Sequence, residues 1–166
     1  MTVLPGKRGR SVRYPGRVYR ANIDRDLAAL SDARVARLIL LVDDEELGRW
    51  SDPAIVERAA GFGIEVERHP MADGFPPRST AEMDDILASV AEVRSAADVA
   101  VACMGGVGRT GTVAACALVA AGWEAGAAIA RVREVRHPLA VETEVQQQFV
   151  QTYWSERRSG SATVAP

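Results

Sequence analysis

The sequence predicts an α/β fold in which a central, mostly parallel sheet of about four to five strands is flanked by helices, with a helical C-terminal third. Two observations support this prediction. Short apolar segments of strand length alternate with longer segments of helical spacing, which is the pattern of a parallel sheet with helical crossovers. The chain after residue 108 contains only patterns of helical spacing.

Four short segments are typical of strands. Residues 37–42 (Arg-Leu-Ile-Leu-Leu-Val) and residues 98–103 are mainly apolar, as expected of strands that are buried on both faces. Residues 64–68 alternate between apolar and polar side chains, and residues 18–19 are a weak, short candidate. A loop rich in Pro and Gly is predicted over residues 69–78, after the third of these segments.

The predicted helices carry capping residues in addition to their apolar spacing. Pro53 suits a first helical turn, and Ser79 with Glu82 has the spacing of a capping box. Gly122 is expected to close the helix that begins at Arg109. The helices are predicted over residues 26–35, from residue 53 to near Gly61 or Gly63, and over residues 79–93, 109–121, 124–136 and 142–157.

Length and composition fit one packed domain. The chain has 166 residues, of which 48% are apolar and 25% are charged, so a substantial core is expected. Basic residues cluster before the first acidic residue, Asp24. We expect a basic, solvated N-terminal arm over residues 1–14, the packed domain over residues 15–157 and a flexible tail over residues 158–166. Alternatively, the arm forms a positive rim that attracts an anionic substrate.

Composition also argues against several classes of function. A formal net charge of −2 disfavours general nucleic-acid binding, which requires a basic surface. No run of about eighteen uncharged apolar residues is present, and a polar, basic segment follows Met1, so we expect neither a membrane span nor a secretory signal. The two cysteines, Cys103 and Cys116, are too few for a disulfide framework, so a cytoplasmic location is expected.

The most informative segment joins the last predicted strand to the helix that follows it. Its residues are Cys103, Met104, Gly105, Gly106, Val107, Gly108, Arg109 and Thr110. The glycines allow backbone N–H groups to turn inward, the helix N-terminus adds partial positive charge, and Arg109 offers a planar fork to two phosphoryl oxygens. Such a field favours the thiolate of Cys103. The segment therefore predicts a phosphate cradle over residues 104–109 around a cysteine nucleophile.

Three other interpretations compete with the phosphate cradle. The first is a pair of ordinary buried cysteines beside a Gly-rich turn. The second is a P-loop NTPase, which requires Lys where Arg109 stands and a different glycine spacing. The third is a dinucleotide site, because residues 106–111 match G-x-G-x-x-G. That motif also needs a second strand ending in an acidic residue about twenty residues on, and a helix is predicted there instead.

The sequence resembles the cysteine-based protein phosphatases. Cys103-x5-Arg109-Thr110 is their signature, and the surrounding residues are similar to the small dual-specificity type, within it most of all to kinase-associated-phosphatase-like proteins. The resemblance runs from about residue 15 to residue 150 and includes the segments 70–74 and 140–146. It implies a dual-specificity phosphatase-like fold and hydrolysis of phosphomonoesters, namely phosphotyrosine and also phosphoserine or phosphothreonine on proteins, without a cofactor.

The implied reaction assigns the central roles to three residues. Cys103 attacks phosphorus to form a cysteinyl-phosphate, while Arg109 and the backbone N–H groups of residues 104–109 hold the phosphoryl oxygens. The departing oxygen needs a proton, and Asp73, in the loop rich in Pro and Gly, is the candidate donor and later the base that activates water. The alternative for an aspartate in such a loop is stabilisation of a turn.

Two further residues have expected supporting roles. The Thr110 hydroxyl is expected to donate to the sulfur during the second step. Gln146 matches a glutamine that lies near the hydrolytic water in related phosphatases, and its alternative is an exposed residue of a helix. No metal is suggested, because His69 and His137 lie singly in the sequence.

The sequence departs from the family pattern at one position. The residue before the nucleophile is usually His in this family, and here it is Ala102. That histidine is thought to brace the loop, so the stabilisation of the Cys103 thiolate is the property that this departure affects. Cys116 is expected to be a plain buried thiol, with a reversible disulfide to Cys103 as the alternative.

Two other functions stay open as alternatives. One is a phosphatase of small phosphorylated metabolites or lipids, although the five uncharged residues between Cys103 and Arg109 argue against polyphosphoinositides. The other is a non-catalytic phosphopeptide-binding module, which would need neither Cys103 nor Asp73. The expected partner is a phosphorylated protein or a small phosphoester, and the sequence leaves the oligomeric state open.

Overall fold

Four parallel strands form the central sheet in the computed structural model of the protein, which describes residues 1–11, 14–93 and 97–161. Their order across the sheet is β1 (Thr2–Val3), β6 (Asp98–Cys103), β4 (Val35–Leu40) and β5 (Glu65–Arg68). Each neighbouring pair is parallel. The predicted α/β fold with a parallel sheet and a helical C-terminal third is therefore confirmed.

The N-terminal segment contributes to this architecture. β1 pairs with β6, and Leu4 and Lys7 are buried. A separate antiparallel pair is formed by β2 (Arg8–Arg10) and β3 (Val18–Arg20), so the strand predicted at residues 18–19 exists outside the central sheet. The expectation of a solvated arm is therefore wrong for residues 4–7, which are buried. The division of the chain at residues 14 and 157 stays a prediction.

The chain divides into two compact units. The first comprises Met1–Pro70 and Ser89–Gly106, and the second comprises Met71–Ala88 and Val107–Pro166. Besides the strands, the first unit contains the helices α1 (Ile23–Asp32), α2 (Asp44–Trp50) and α3 (Ile55–Ala60). The second contains most of α4 (Thr80–Val93) and all of α5 (Gly108–Ala120), α6 (Ala125–Val135) and α7 (Glu144–Ser161).

The core of the first unit lies on one face of the sheet. Leu38 and Leu40, at alternate positions of β4, are completely buried in a cluster that also holds Leu27 of α1 and Ile55 of α3. On the opposite face, Arg37 donates to Glu65 Oε2 (2.9 Å), to the Ser89 backbone oxygen (3.1 Å) and to Glu92 Oε2 (2.8 Å). The last turns of α4 thereby cover the second face, which explains why β4 is almost continuously apolar.

The second unit is built from helices. α5 packs against both α6 and α7, and α6 also contacts α7. Small residues allow close packing: a Cβ added to Gly111 of α5 would lie only 2.8 Å from the backbone nitrogen of Val141. The buried side chains of these helices include Val113, Cys116, Val119, Ala128, Ile129, Val132, Val150 and Tyr153.

The predicted helices are present with shifted ends. α1 begins three residues early because the Asn22 side chain accepts from Arg25 N and caps the helix there. At α4, Glu82 N donates to Ser79 Oγ at 3.1 Å, which is half of the predicted capping box. The helix predicted from Pro53 is α3, and the prediction missed α2, whose capping box pairs Asp43 with Glu46.

The flexible tail was expected over residues 158–166, but residues 158–161 are the last residues of α7. Residues 162–166 lie outside the described residues. Within the described ranges, none of the helices combines the length and the apolar character that crossing a bilayer requires.

We predict opposite effects of two glycine-to-alanine substitutions on the free energy of unfolding. Gly111→Ala should lower it by about 1–3 kcal/mol, because the new Cβ would clash with the Val141 backbone. Gly48→Ala, in an open position of α2, should raise it by about 0.5–1 kcal/mol through helix propensity. Urea denaturation measures both, and an unchanged midpoint for Gly111→Ala would contradict the close approach.

Candidate active site

The nucleophile candidate lies at the carboxyl end of β6, which has β1 and β4 as its two neighbours in the sheet. Cys103 is buried and pairs in register with Val3 of β1. Ligands of open α/β sheets bind at this edge, so the fold of the first unit places Cys103 where a site is expected. Its Sγ accepts a hydrogen bond from the Gly106 backbone N–H at 3.3 Å.

The loop after Cys103 turns sharply within the first unit. Gly106 has a φ of 65°, in the left-handed region that glycine adopts without a steric penalty. This turn brings the Gly106 N–H back to the sulfur three residues earlier. The sulfur thus has a backbone N–H donor from its own loop, while the thiolate character of Cys103 stays a prediction.

Ala102 is completely buried in the apolar core of the first unit. Its side chain belongs to the same cluster as Leu38 and Leu40. An imidazole at this position would have to be accommodated among aliphatic side chains. The alanine therefore suits the core, and any bracing of the loop must come from another residue.

Lys7 is a residue of the site that our sequence analysis did not single out. Its Nζ donates to the backbone oxygen of Met104 at 3.0 Å and lies 4.0 Å from the centroid of the Tyr19 ring. Burial lowers the pKa of Lys7, while the charges of Tyr19 and Cys103 act in the opposite direction. One signal was available in the sequence, since Lys7 is the sole lysine among the 20 Lys and Arg residues.

In the second unit, Arg109 connects the start of α5 to the loop that carries Asp73. The Arg109 side chain is 1% exposed and that of Asp73 is 78% exposed. One terminal nitrogen of Arg109 donates to the Met71 backbone oxygen at 2.9 Å, and the other donates to Asp73 Oδ1 at 3.1 Å. The structure thus brings together the predicted phosphate-binding arginine and the predicted proton donor.

Gln146 also lies close to the start of α5 in the second unit. It is completely buried, so the alternative of an exposed helix residue is wrong. Its Oε1 accepts from Glu142 N at 2.8 Å and from Thr143 N at 3.3 Å. A Cβ added to Gly108 would lie 3.3 Å from both polar atoms of the amide, and among the described residues Nε2 has no hydrogen-bond partner.

Thr143 links the Gln146 segment to the Asp73 loop. Its Oγ1 donates to the Gly74 backbone oxygen at 2.6 Å and accepts from Gln146 N at 3.3 Å. Gly74 has a φ of 78°, so the loop turns directly after Asp73. Thr143 lies in one of the segments that resemble the family, but no role was predicted for it. The signal available in the sequence was its position two residues after the apolar pair Ala140 and Val141.

The remaining predicted residues lie in the helices or pair locally. Thr110 is completely buried in the first turn of α5, and Cys116 is buried further along the same helix. Burial raises the pKa of the Cys116 thiol, which disfavours its thiolate and supports the plain buried thiol. His69 Nε2 lies 2.6 Å from Glu67 Oε1, and His137 Nδ1 accepts from Leu139 N at 3.1 Å.

Metal-ligating side chains do not assemble in the described part of the chain, where no three His, Cys, Asp or Glu residues form a cluster suited to an ion. Within the first unit, the Cys103 sulfur accepts the Gly106 N–H. Within the second unit, the buried Arg109 guanidinium lies beside the Asp73 carboxylate.

Comparison with known proteins identifies relatives over most of the chain. The family model PTP-SAK, described as Swiss Army Knife protein, DSP-PTPase phosphatase domain, matches residues 14–153. Cyclin-dependent kinase inhibitor 3 of Rattus norvegicus is 27% identical over 176 residues, which cover 99% of this chain and 79% of the rat protein.

Solved structures resemble the fold closely. Kinase associated phosphatase with its catalytic-site cysteine replaced by serine has a TM-score of 0.82 and 22% identity, over 95% of this chain and 85% of that chain. The active form of Tk-PTP has a TM-score of 0.71 and 31% identity, over 84% of this chain and 91% of that chain.

These matches confirm the resemblance that the sequence motifs indicated. The family model extends from the residue before Pro15 to Tyr153 of α7, and so includes every predicted site residue. The chain therefore belongs to the PTP-SAK family of DSP-PTPase phosphatase domains, and it is a cysteine-based phosphatase of the dual-specificity type.

Proposed function

We propose that this protein hydrolyses phosphotyrosine, and also phosphoserine or phosphothreonine, on proteins through a cysteinyl-phosphate intermediate on Cys103. One observation carries the proposal more than any other: the buried Arg109 guanidinium, six residues after a buried cysteine, is paired with the carboxylate of Asp73. A phosphate-binding fork and a candidate proton carrier thus lie next to each other, so that a phosphoryl group bound by Arg109 would have its leaving oxygen near Asp73.

The first step is an in-line displacement by the Cys103 thiolate. The sulfur is held at the carboxyl edge of the sheet and receives the Gly106 N–H, so its lone pair is presented from a fixed position. The S–P bond forms while the P–O bond to the leaving group breaks. The Met104 to Arg109 loop supplies N–H groups to the equatorial oxygens, whose charge they stabilise during both steps.

Arg109 exchanges partners when a substrate binds. A phosphate dianion offers two oxygens to the planar guanidinium and is a stronger partner than the single Asp73 oxygen. Because Asp73 is 78% exposed, its side chain leaves the guanidinium without any repacking of the core. Once free of the guanidinium, the Asp73 carboxylate takes up a proton from solvent and passes it to the leaving oxygen, which would otherwise depart poorly as an alkoxide or phenoxide.

The second step releases phosphate from the sulfur with water as the nucleophile. Asp73, now a carboxylate, takes a proton from that water. Gln146 is suited to orient it, because the amide oxygen is fixed by two backbone N–H groups while the amide nitrogen stays available near Gly108. Thr110, buried at the start of α5, donates to the departing thiolate in this proposal.

The surroundings of the acid support a protein substrate. Phe75, two residues after Asp73, is 55% exposed and offers an apolar surface to a phenyl ring or a peptide side chain. The loop residues between Cys103 and Arg109 are uncharged, which suits a single phosphate group. Relatives of the chain include kinase associated phosphatase. We propose that the activity lies in the cytosol, where reducing conditions keep a cysteine thiol free of disulfides.

Cys103→Ser should abolish hydrolysis of p-nitrophenyl phosphate, with a loss of at least about a thousandfold in kcat, because serine is not ionised at neutral pH. Vanadate should still bind, since the N–H groups and Arg109 stay in place. Calorimetric titration with vanadate alongside the hydrolysis assay measures both. Cys116→Ser is the matched control and should keep its turnover; substantial turnover by Cys103→Ser would exclude the covalent route.

Asp73→Asn should slow phosphate esters according to their leaving groups. Phenyl phosphate should lose about a hundredfold or more in kcat/KM, whereas 2,4-dinitrophenyl phosphate, whose phenoxide leaves without a proton, should lose far less. Asp85→Asn, in α4, provides a charge-matched control. An equal loss for both esters would place the proton donor elsewhere.

Gln146→Ala should slow the second step more than the first. The expected signature is a burst of nitrophenol followed by a steady state that is about tenfold slower, together with trapped 32P-labelled protein after acid quenching. A merely structural role would lower both phases together and leave no burst. Gln148→Ala, an exposed position in the same helix, should behave as the parent protein.

A panel of phosphopeptides, phosphoinositides and nucleotides, assayed with EDTA present, tests the substrate class. We expect phosphopeptides to give the highest kcat/KM. A preference for phosphoinositides or nucleotides would support the alternative of a lipid or metabolite phosphatase. Binding of phosphopeptides without release of phosphate would support the non-catalytic module.

A further inference from the structure

Lys7 lies beside the loop that follows Cys103 and is the sole lysine of the chain. We infer that Lys7 is a positioning residue for the proposed reaction: its ammonium holds the peptide that follows the nucleophile and stabilises the Cys103 thiolate, in the role that Ala102 leaves unfilled. This inference rests on the proposed function. It assigns a task to the N-terminal segment of the first unit, which the family model does not match.

The backbone around Lys7 is fixed by its neighbours. Lys7 N donates to the Leu4 backbone oxygen at 3.2 Å, and the Lys7 oxygen accepts from Ala21 N at 3.0 Å. Gly6, just before it, has a φ of 71°, and its N–H donates to Asp26 Oδ2 at 2.8 Å. A Cβ at Gly6 would lie 2.7 Å from Ile23 Cβ, so only glycine permits this turn.

The pairing of β1 with β6 determines the position of Lys7 in the first unit. Val3, the last residue of β1, is in register with Cys103, and both strands run in the same direction. The chain therefore leaves β1 at the same edge of the sheet as the loop after Cys103. Four residues later, the buried Lys7 side chain is within 3.0 Å of the Met104 backbone oxygen.

This hydrogen bond orients a peptide group of the cradle. In a trans peptide the C=O and the following N–H point in opposite directions. Lys7 Nζ holds the Met104 oxygen, so the Gly105 N–H is directed away from Lys7. Gly105 is exposed and has no side chain that could hold its position. The hydrogen bond from Lys7 therefore helps to fix the orientation of this peptide group.

The lysine also contributes a poorly screened positive charge. Lys7 is 8% exposed, and its ammonium is compensated by the face of the Tyr19 ring at 4.0 Å. The titratable or charged groups that act on it are Tyr19 of β3, Arg17 just before that strand and Cys103 of β6. The interaction with Cys103 is reciprocal: a thiolate raises the pKa of Lys7, and the ammonium favours the thiolate.

An arginine would not fill this position equally well. A guanidinium is planar and needs several acceptors, whereas the compact ammonium directs one donor to the Met104 oxygen and still faces the Tyr19 ring. The chain uses arginine at all its other basic positions. The single lysine thus stands where the geometry favours an ammonium.

The first experiment measures the pH dependence of iodoacetamide alkylation at Cys103, followed by peptide mass mapping to separate it from Cys116. We expect Lys7→Met to move the midpoint to higher pH by about one pH unit, and Lys7→Arg to move it less. Arg25→Met, which removes an exposed charge of α1 in the same unit, is the control and should leave the midpoint unchanged. An unmoved midpoint in Lys7→Met, or an equal shift in Arg25→Met, would overturn the inference.

A second measurement leaves Lys7 intact and covers the case in which Lys7→Met does not fold. With 13C-labelled lysine, the single Lys7 Cε resonance is assigned without further variants. We expect its titration midpoint to lie at lower pH in Cys103→Ser than in the parent protein, because the serine variant lacks the thiolate that raises the lysine pKa. Identical midpoints would show that the two groups do not interact and would overturn the inference.

These readouts are independent of turnover. A parent protein that hydrolyses no phosphoester, yet shows both shifts, would defeat the proposed function and leave the Lys7–Cys103 coupling intact. Normal turnover with neither shift would defeat only the role of Lys7.

Discussion

A buried guanidinium must find acceptors inside the protein, and Arg109 satisfies this requirement with the Met71 oxygen and the Asp73 carboxylate. The pairing determines how the second unit is arranged around the start of α5. It fixes the loop that carries the acid, and Thr143 fixes the same loop from the other side through the Gly74 oxygen. Because Asp73 is exposed and Arg109 is not, the carboxylate is the partner that moves in the proposed reaction.

Buried cations recur in the first unit with different partners. Arg37 is surrounded by carboxylates and the Ser89 oxygen, and it joins β4 to the end of α4. Lys7 instead has a carbonyl and an aromatic ring, with Asp26 bound to the neighbouring Gly6 N–H. The two residues differ in the charge of their neighbours. The carboxylates around Arg37 neutralise its charge, so Arg37 stabilises the fold. Lys7 has only neutral partners for its ammonium, so its positive electrostatic potential stays available to Cys103, the proposed nucleophile.

Sequence reasoning succeeded where the local pattern carried the information. The apolar runs of β4 and β6, the capping residues of α4 and the Cys103–Arg109 spacing are all local features. It failed where long-range pairing decides the structure. β1 has two residues and β2 has three, too few for any periodicity, and only the register with β6 makes residues 2–7 part of the sheet's unit. Gln146 lies in a run of three glutamines, so composition could not show which one is buried.

The scarcity of lysine has a practical consequence for labelling and for modification. When succinimidyl esters, amine crosslinkers and acylating or ubiquitylating enzymes modify side chains, they act on accessible ε-amines. This sequence offers them one, and it is 8% exposed and engaged with a carbonyl and a ring. Side-chain amine chemistry therefore meets a nearly inert surface, so fluorophores and surface attachment need a handle other than lysine.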